Sequence, residues 1–291
     1  MIVLTGATGH FGNAAFDALL QKGVAATDIR ALVRNEDAAA KFQTRGIETA
    51  IGDYDDYASL VQAFTGADKL LFISGSDLGK RLSQHHNVIA AAQEAGVKHV
   101  VYTSFQRRNE TESSPLWIVA ESHIATEKEL KQSGLAYTIL RNNLYLDFLP
   151  GFIGENVLET GVIYVPAETG RVGAVLRAEM AEAAATVLST TGHENREYDF
   201  TNTEAVSYDE IAQTISDASG KAIRYHSPAV DDYIQTLTGF GVPAEVVGIF
   251  SSFAIAQAQG ELDATSDDLT RLLGRKPISI REFISRLYTQ S

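Results

Sequence analysis

No cysteine occurs anywhere in the 291 residues, which excludes disulfides, thiol redox chemistry and thiolate metal sites and is compatible with a reducing compartment. Runs of Lys or Arg are also missing. Acidic residues outnumber basic ones 37 to 24, for a formal net charge of -13. Such a field repels nucleic acid and anionic lipid, so neither is an expected partner. An anionic cofactor would need a local cluster of donors. No apolar stretch approaches the ~18–20 residues of a membrane span. The opening run at residues 2–5 is too short for a signal peptide and lacks a basic leader. The expected location is the cytoplasm, away from any membrane. What is there is an ordinary globular balance, 45% apolar and 21% charged. The length suits one large domain, or a domain with a smaller lobe.

Up to about residue 142, short β-branched or aliphatic runs alternate with longer helical patterns. The runs cover residues 2–5, 29–33, 47–51, 69–74, 98–104 and 136–141, and the patterns between them include 14–21, 57–64, 84–95 and 122–133. Gly23, Gly66, Gly96 and Gly134 close four helices. Six strands alternating with helices predict an α/β fold with right-handed crossovers, a doubly wound parallel sheet of Rossmann type. After Asn142 the rhythm breaks into aromatic and irregular stretches, followed by a helix at 177–189, a strand at 196–201 and several helices up to Tyr288. The expected organisation is a Rossmann domain over residues 1–142, with helix 177–190 packing back on it. A smaller, mostly helical substrate lobe is expected from 143–176 and 191–291, set over the carboxyl ends of the strands. No linker divides the two, so they are expected to fold as one unit.

The strongest local signal is Thr5-Gly6-Ala7-Thr8-Gly9-His10-Phe11-Gly12, between an apolar strand and an amphipathic helix. Glycines at these spacings let the backbone turn tightly and approach a diphosphate, with the helix N–H groups aimed at it. Gly6, Thr8, Gly9, His10, Phe11 and Gly12 are therefore candidate cofactor-binding residues. About 20 residues on, an NAD site usually carries an acid for the ribose 2′-hydroxyl. Here stand Arg34 and, further on, Lys41. A guanidinium forks onto a 2′-phosphate, and no carboxylate repels it, so NADP(H) is expected ahead of NAD(H). Asp53 is placed either to accept from the adenine amine or to cap the next helix. Ser74-Gly75-Ser76 and Thr103-Ser104 end the fourth and fifth strands and are expected to line the nicotinamide half of the crevice. Each reads equally as a cap or turn residue.

With these residues in hand, the chain resembles the NmrA-like group of atypical short-chain dehydrogenases/reductases, on the side of its bacterial NADPH:quinone oxidoreductases and triphenylmethane reductases. The resemblance covers nearly the whole chain. It rests on the glycine motif, on Val33-Arg34-Asn35, and on Gly96-Val-Lys-His-Val-Val-Tyr-Thr-Ser104. It rests also on His123-Ile-Ala-Thr-Glu-Lys128, Ser133-Gly-Leu-Ala-Tyr-Thr-Ile-Leu-Arg-Asn142 and Arg177-Ala-Glu-Met180. It implies that NADPH is gripped by Gly6 to Gly12, Arg34, the loop from Ser74 to Ser76 and the segment Leu140-Arg141-Asn142, and that Val175 to Met180, with Arg177, closes on the nicotinamide end. One departure is Asn143, where quinone reductases of this type usually carry Gly, which puts the shape of the substrate-facing turn in question.

Typical short-chain dehydrogenases carry a Tyr-x-x-x-Lys pair on the helix after the fifth strand, the Tyr protonating the carbonyl. Counting back from Glu127 and Gly134, those positions fall on Val119 and His123. The acid is absent. Quinone reduction tolerates the loss, because an aromatic hydroquinone anion takes its second proton from water and the protein need only stack the acceptor and exclude solvent. The candidate catalytic residues are His123, Asn142 and Tyr145. His123 either hydrogen-bonds the ribose, supplies a proton, or is an ordinary helix histidine. Tyr145, Phe148 and Phe152 either stack the acceptor or pack a core. His85-His86-Asn87 is read as a helix start rather than a metal site, since adjacent helix residues diverge by about 100°, with Asn87 steadying the cofactor loop. Trp117, expected in a loop, either covers the acceptor or anchors that loop. The leading expectation is a flavin-independent NADPH:quinone reductase with a small-molecule quinone or related acceptor as its partner. A redox-sensing regulator without chemistry, a reductase for dyes, azo compounds or enones, and a homodimer all stay open.

Overall fold

In the computed structural model, which describes residues 1–289, apolar residues alternate between the two faces of buried strands. Val3, Leu70, Phe72, Val100 and Tyr102 face one core, and Leu4, Leu71 and Val101 face another. Only a sheet covered on both faces buries every position of such strands. The first half runs β1 (Ile2–Leu4), α1 (His10–Gln21), β2 (Ile29–Val33), α2 (Glu36–Gln43), β3 (Glu48–Ile51), α3 (Tyr57–Phe64), β4 (Lys69–Phe72), α4 (Arg81–Glu94), β5 (His99–Phe105), α5 (Trp117–Gln132) and β6 (Ala136–Asn142).

The second half continues with α6 (Leu149–Ile153), α7 (Val157–Thr160), β7 (Val162–Tyr164), β8 (Arg171–Val172), α8 (Arg177–Ser189), β9 (Arg196–Phe200) and β10 (Val206–Ser207). It ends with α9 (Tyr208–Ser219), β11 (Arg224–His226), α10 (Val230–Gly239), α11 (Ala244–Ala258), α12 (Asp268–Leu273) and α13 (Ile280–Tyr288). The central sheet has seven strands in the order β3-β2-β1-β4-β5-β6-β9, all parallel. This is the doubly wound α/β sheet that the strand–helix alternation predicts. The order reverses between β1 and β4, which opens a crevice at their carboxyl ends.

Two boundaries differ from the sequence expectation. Arg196–Phe200 was assigned to the smaller lobe, but it pairs in register with Thr138–Asn142 and extends the sheet. Leu269 of α12 is buried in the core that α1 and α8 share, so part of the 191–291 segment also belongs to the Rossmann layer. Three helices start earlier than their apolar periodicity: α1 at 10, α4 at 81 and α5 at 117. The first turn of α1 belongs to the glycine motif, that of α4 carries Arg81, Ser83 and Gln84, and that of α5 is the apolar Trp117-Ile118-Val119-Ala120.

The rest of the second half packs its own cluster, including Leu146, Phe152, Ile163, Tyr208, Ile211, Ala254 and Ile284. It includes two small two-stranded sheets, β8 with β10 and β7 with β11. Truncating a side chain such as Phe72, fully buried in the sheet, to Ala costs roughly 3–5 kcal/mol in such a layer. Among the described residues, no helix is long and apolar enough to cross a membrane.

Candidate active site

The turn after β1 is shaped by its glycines. Gly6 has φ 59°, a conformation that disfavours a side chain. A Cβ on Gly12 would lie 2.3 Å from the Gly6 carbonyl oxygen, so only glycine lets α1 start against this loop. Asn13 Nδ2 donates to the carbonyls of Thr8 and Gly9, both at 3.0 Å. No side chain caps α1 at Gly9, leaving its first N–H groups without intrahelical partners. They border a groove of about 510 Å³ lined by Gly6, Thr8, Gly9, Arg34, Asp53 and the segment Ser74 to Ser76. The side chains of two sequence candidates do not reach it. His10 is exposed and Phe11 is buried in the core, so each has only a backbone N–H to offer.

Arg34 is exposed and forms no ion pair among the described residues; its neighbour Asn35 caps α2 through Ala38 N–H at 2.9 Å. Asp53 does not cap α3: Asp56 does, accepting from Ser59 N–H, while Asp53 Oδ1 accepts from Asp55 N–H at 2.9 Å. Asn87 Nδ2 donates to Tyr54 O at 2.9 Å, tying this loop to α4. It sits in the second turn of α4 rather than at a helix start. Thr103 is buried beneath the groove, its hydroxyl accepting from Ser74 N–H at 2.9 Å, so it holds the loop instead of lining it.

His85 holds the same loop from the other side. Its Nε2 accepts from Gly75 N–H at 3.0 Å and its Nδ1 meets Thr126 Oγ1 at 2.8 Å. Burial, reinforced by the charge of Arg81, pushes its pKa down to about 3, so the ring stays neutral. His86 faces outward and pairs with Glu129 at 2.7 Å.

Beyond Ser74 the groove opens into an apolar cavity of about 570 Å³. Tyr145, Phe148, Phe152 and Phe253 form much of its wall, and Val119 and His123, at the positions of the missing Tyr–Lys pair, lie on it together. Trp117 does not: it is the first residue of α5, away from the cavity lining. His123 is buried, with Nδ1 2.7 Å from Tyr102 Oη and Nε2 3.5 Å from Arg81 Nη1. The guanidinium can only donate, which leaves the proton on Nδ1. Burial first, then the charge of Arg81, holds the ring well below the usual histidine range. It has no imidazolium proton to give at neutral pH.

Ser104 Oγ donates to Glu127 at 2.5 Å. Burial alone would raise that carboxyl, but hydrogen bonds from Arg107 and Arg141 outweigh it and hold the pKa at about 2. Asn142 is buried with Oδ1 unpartnered, and its Nδ2 lies 3.4 Å from Tyr145 Oη. Burial raises the Tyr145 phenol, keeping it protonated. Asn143 has ordinary backbone geometry, and its Nδ2 ties Gln106 (2.7 Å) to the carbonyl of Leu262 (3.1 Å). The turn is thus braced across both halves. Arg177 lines neither space: it lies over the rings of Phe148 (4.7 Å) and Tyr145 (5.5 Å) and pairs with Asp147.

A profile described as the NmrA-like family matches residues 1–284. The chain belongs to the NmrA-like family. Quinone oxidoreductase 2 of Escherichia coli (strain K12) is 36% identical over 289 residues, 99% of each chain. The crystal structure of the Escherichia coli NADPH-dependent quinone oxidoreductase complexed with NADPH superposes with a TM-score of 0.91, covering 99% of this chain and 100% of that one. The triphenylmethane reductase of Citrobacter sp. complexed with NADP(H) is 38% identical, with a TM-score of 0.90, covering 98% of this chain and 99% of that one.

In this NmrA-like chain the sequence assigned no site role to Tyr102, Glu127, His85 or Arg81. Arg81 alone left a signal. A basic residue in the first turn of a helix opposes the helix dipole, and α4 begins with Arg81 and has no acid in its first turn.

Proposed function

We propose that this NmrA-like chain is an NADPH-dependent reductase that passes hydride to a quinone or similar conjugated acceptor, with neither a Tyr–Lys acid pair nor a flavin. The observation that carries the reading is the junction at Ser74, which lines both the polar groove and the apolar cavity. A ligand running from the glycine loop past Ser74 ends beside an acceptor-sized space.

The residues fit such a dinucleotide. The uncapped start of α1 and the close Gly6–Gly12 approach suit a diphosphate, and unpaired Arg34 suits the 2′-phosphate. Ser74 to Ser76, Ser104 and Asn142 attend the nicotinamide end. Bound there, the reduced dinucleotide supplies a hydride. The chain's own work is to align the acceptor and keep water out. Phe148, Phe152 and Phe253 flank the acceptor. Tyr145 Oη and the unpartnered Asn142 Oδ1 hydrogen-bond the reacting pair, and neutral His123 orients its neighbours rather than donating a proton. The one proton that the reaction consumes comes from water, as an aromatic product permits.

The full-length similarity to the Escherichia coli quinone oxidoreductase and the Citrobacter triphenylmethane reductase supports a reductase over a redox-sensing regulator. A cytoplasmic location goes with the reading, since the cysteine-free chain suits a reducing compartment. The purified protein mixed with NADPH and a benzoquinone or naphthoquinone should oxidise NADPH well above the protein-free rate. Tight NADPH binding with no turnover would instead point to the regulator.

A further inference from the structure

Among the described residues, Arg81 is a buried cation without an ion-pair partner. It is 7% exposed. Its Nε donates to Gly75 O at 2.7 Å, and Nη1 reaches Ser122 Oγ at 3.4 Å and His123 Nε2 at 3.5 Å. All three partners are neutral, and Nη2 makes no hydrogen bond among the described residues. The other deeply buried arginine, Arg107, is paired with both Glu110 and Glu127. A guanidinium taken out of water without an opposite charge is costly, and this one also stands at the positive end of α4. Both penalties fall if negative charge arises beside it.

The direction from which that charge comes is set by the walls. Lys80 lines the dinucleotide groove, whereas Arg81 lines the apolar cavity. Among the described residues Arg81 is the only Lys or Arg on the cavity wall. Asp147, the one carboxylate there, is engaged by the backbone N–H and side chain of Arg177.

We propose that Arg81 binds the carbonyl oxygen of the acceptor and the oxyanion it becomes, so that the cavity selects neutral or anionic conjugated carbonyl compounds over cationic dyes. The inference rests on the reductase reading and deepens it. In the overall reaction, quinone, reduced dinucleotide and one proton give hydroquinone and oxidised dinucleotide. Two electrons arrive with one hydrogen as hydride, the acceptor's oxygen is left negative, and the proton from water completes the hydroxyl. Protonated Tyr145 offers that oxygen a dipole and His123 offers it no N–H, its Nδ1 proton being directed at Tyr102, whereas Arg81 offers a full charge in a site of low polarity, where it acts most strongly. A triarylmethane cation would meet the same charge as repulsion.

The test uses the full-length protein saturated with NADP⁺ and 4-nitrophenol as an oxyanion probe, its ionisation read from the phenolate absorbance. Bound to the wild type, the probe should ionise at lower pH than in solution and bind at least about tenfold tighter than 4-nitroanisole, its neutral methyl ether. Arg81→Met should cancel that preference and lower the quinone-to-cationic-dye ratio of kcat/KM by at least about tenfold, while the NADPH Kd, exposed only to the lost tie at Gly75 O, rises far less than the probe's; Arg81→Lys should restore phenolate binding. A wild type that binds phenolate no better than the ether overturns the proposal, even if the variants do not fold. So does an NADPH Kd in Arg81→Met that rises as much as the probe's, which would assign Arg81 to the dinucleotide. Phenolate binding that depends on Arg81 in a protein reducing no acceptor would leave the oxyanion site standing while the reductase reading fell.

Discussion

Arg34 stands at the exposed edge of the groove and forms no ion pair among the described residues, and the 2′-phosphate is the group that separates NADPH from NADH. A charge-assisted hydrogen bond contributes about 1.5–3 kcal/mol, so Arg34→Glu should weaken NADPH on the order of 10- to 100-fold. NADH should be nearly unaffected, and a fluorescence titration of both cofactors checks this. Equal losses would assign Arg34 another task. The place of Arg34 on the groove was legible in the sequence because it is set locally: it follows a strand at a fixed distance from the glycine loop. Arg81 was not, because its significance depends on what it lacks. Only the assembled walls show that, among the described residues, no carboxylate pairs with it and the one on its cavity wall, Asp147, is held by Arg177. The polar tie between Tyr102 and His123 is hidden likewise, since it joins a strand to a helix across the interior.

At the scale of elements, α1 and the glycine loop form one unit, and its tolerance is narrow. The Gly12→Ala methyl would meet Gly6 O at 2.3 Å and the Ala7 Cα and O at 2.9 Å, all backbone that cannot swing aside. Relief requires α1 to withdraw from the loop, which loosens the helix against its core and misaligns its free N–H groups. Overpacking of this kind costs roughly 1–3 kcal/mol, so thermal unfolding should show a lower Tm, together with at least a tenfold loss in NADPH affinity. Gly9→Ala is the control, because its Cβ would lie 3.3 Å from the same oxygen, a contact that a small shift absorbs. The first six strands were readable because each is a short apolar run ended by a turn. The seventh, Arg-Glu-Tyr-Asp-Phe, has a polar edge pattern, and its place beside β6 is a matter of topology rather than composition. The cavity roof was illegible for a related reason. Phe250 and Phe253 come from α11, and nothing local in their pattern separates a helix that packs a core from one that closes a pocket.

For the molecule as a whole, three histidines are stored neutral in the Rossmann layer. His85 and His123 lie beneath the crevice. His99 starts β5 and is fixed by Thr138 Oγ1 at 2.8 Å, its Nδ1 unpartnered. Burial pushes His85 to about 3 and His99 to about 4, and drives His123 well below its usual value. Unfolding releases all three to an ordinary pKa near 6.5. Below that pH the unfolded chain binds protons that the folded one refuses, so stability complete above about 6.5 drains away as pH falls. Each histidine contributes ~1.4 kcal/mol per pH unit over this window. Lowering the pH from 7 to 5 should therefore reduce the Tm by about 10 °C or more. Glu127, held at about 2, adds its own loss only below about pH 4.5. A Tm that stays level down to that point would mean that carboxylates, not histidines, govern acid unfolding. His99 lies outside the groove and the cavity, so His99→Gln should remove about a third of the slope between pH 6.5 and 5 and leave NADPH binding intact. That pairing of outcomes ties the acid lability to the interior of the sheet rather than to the site it carries.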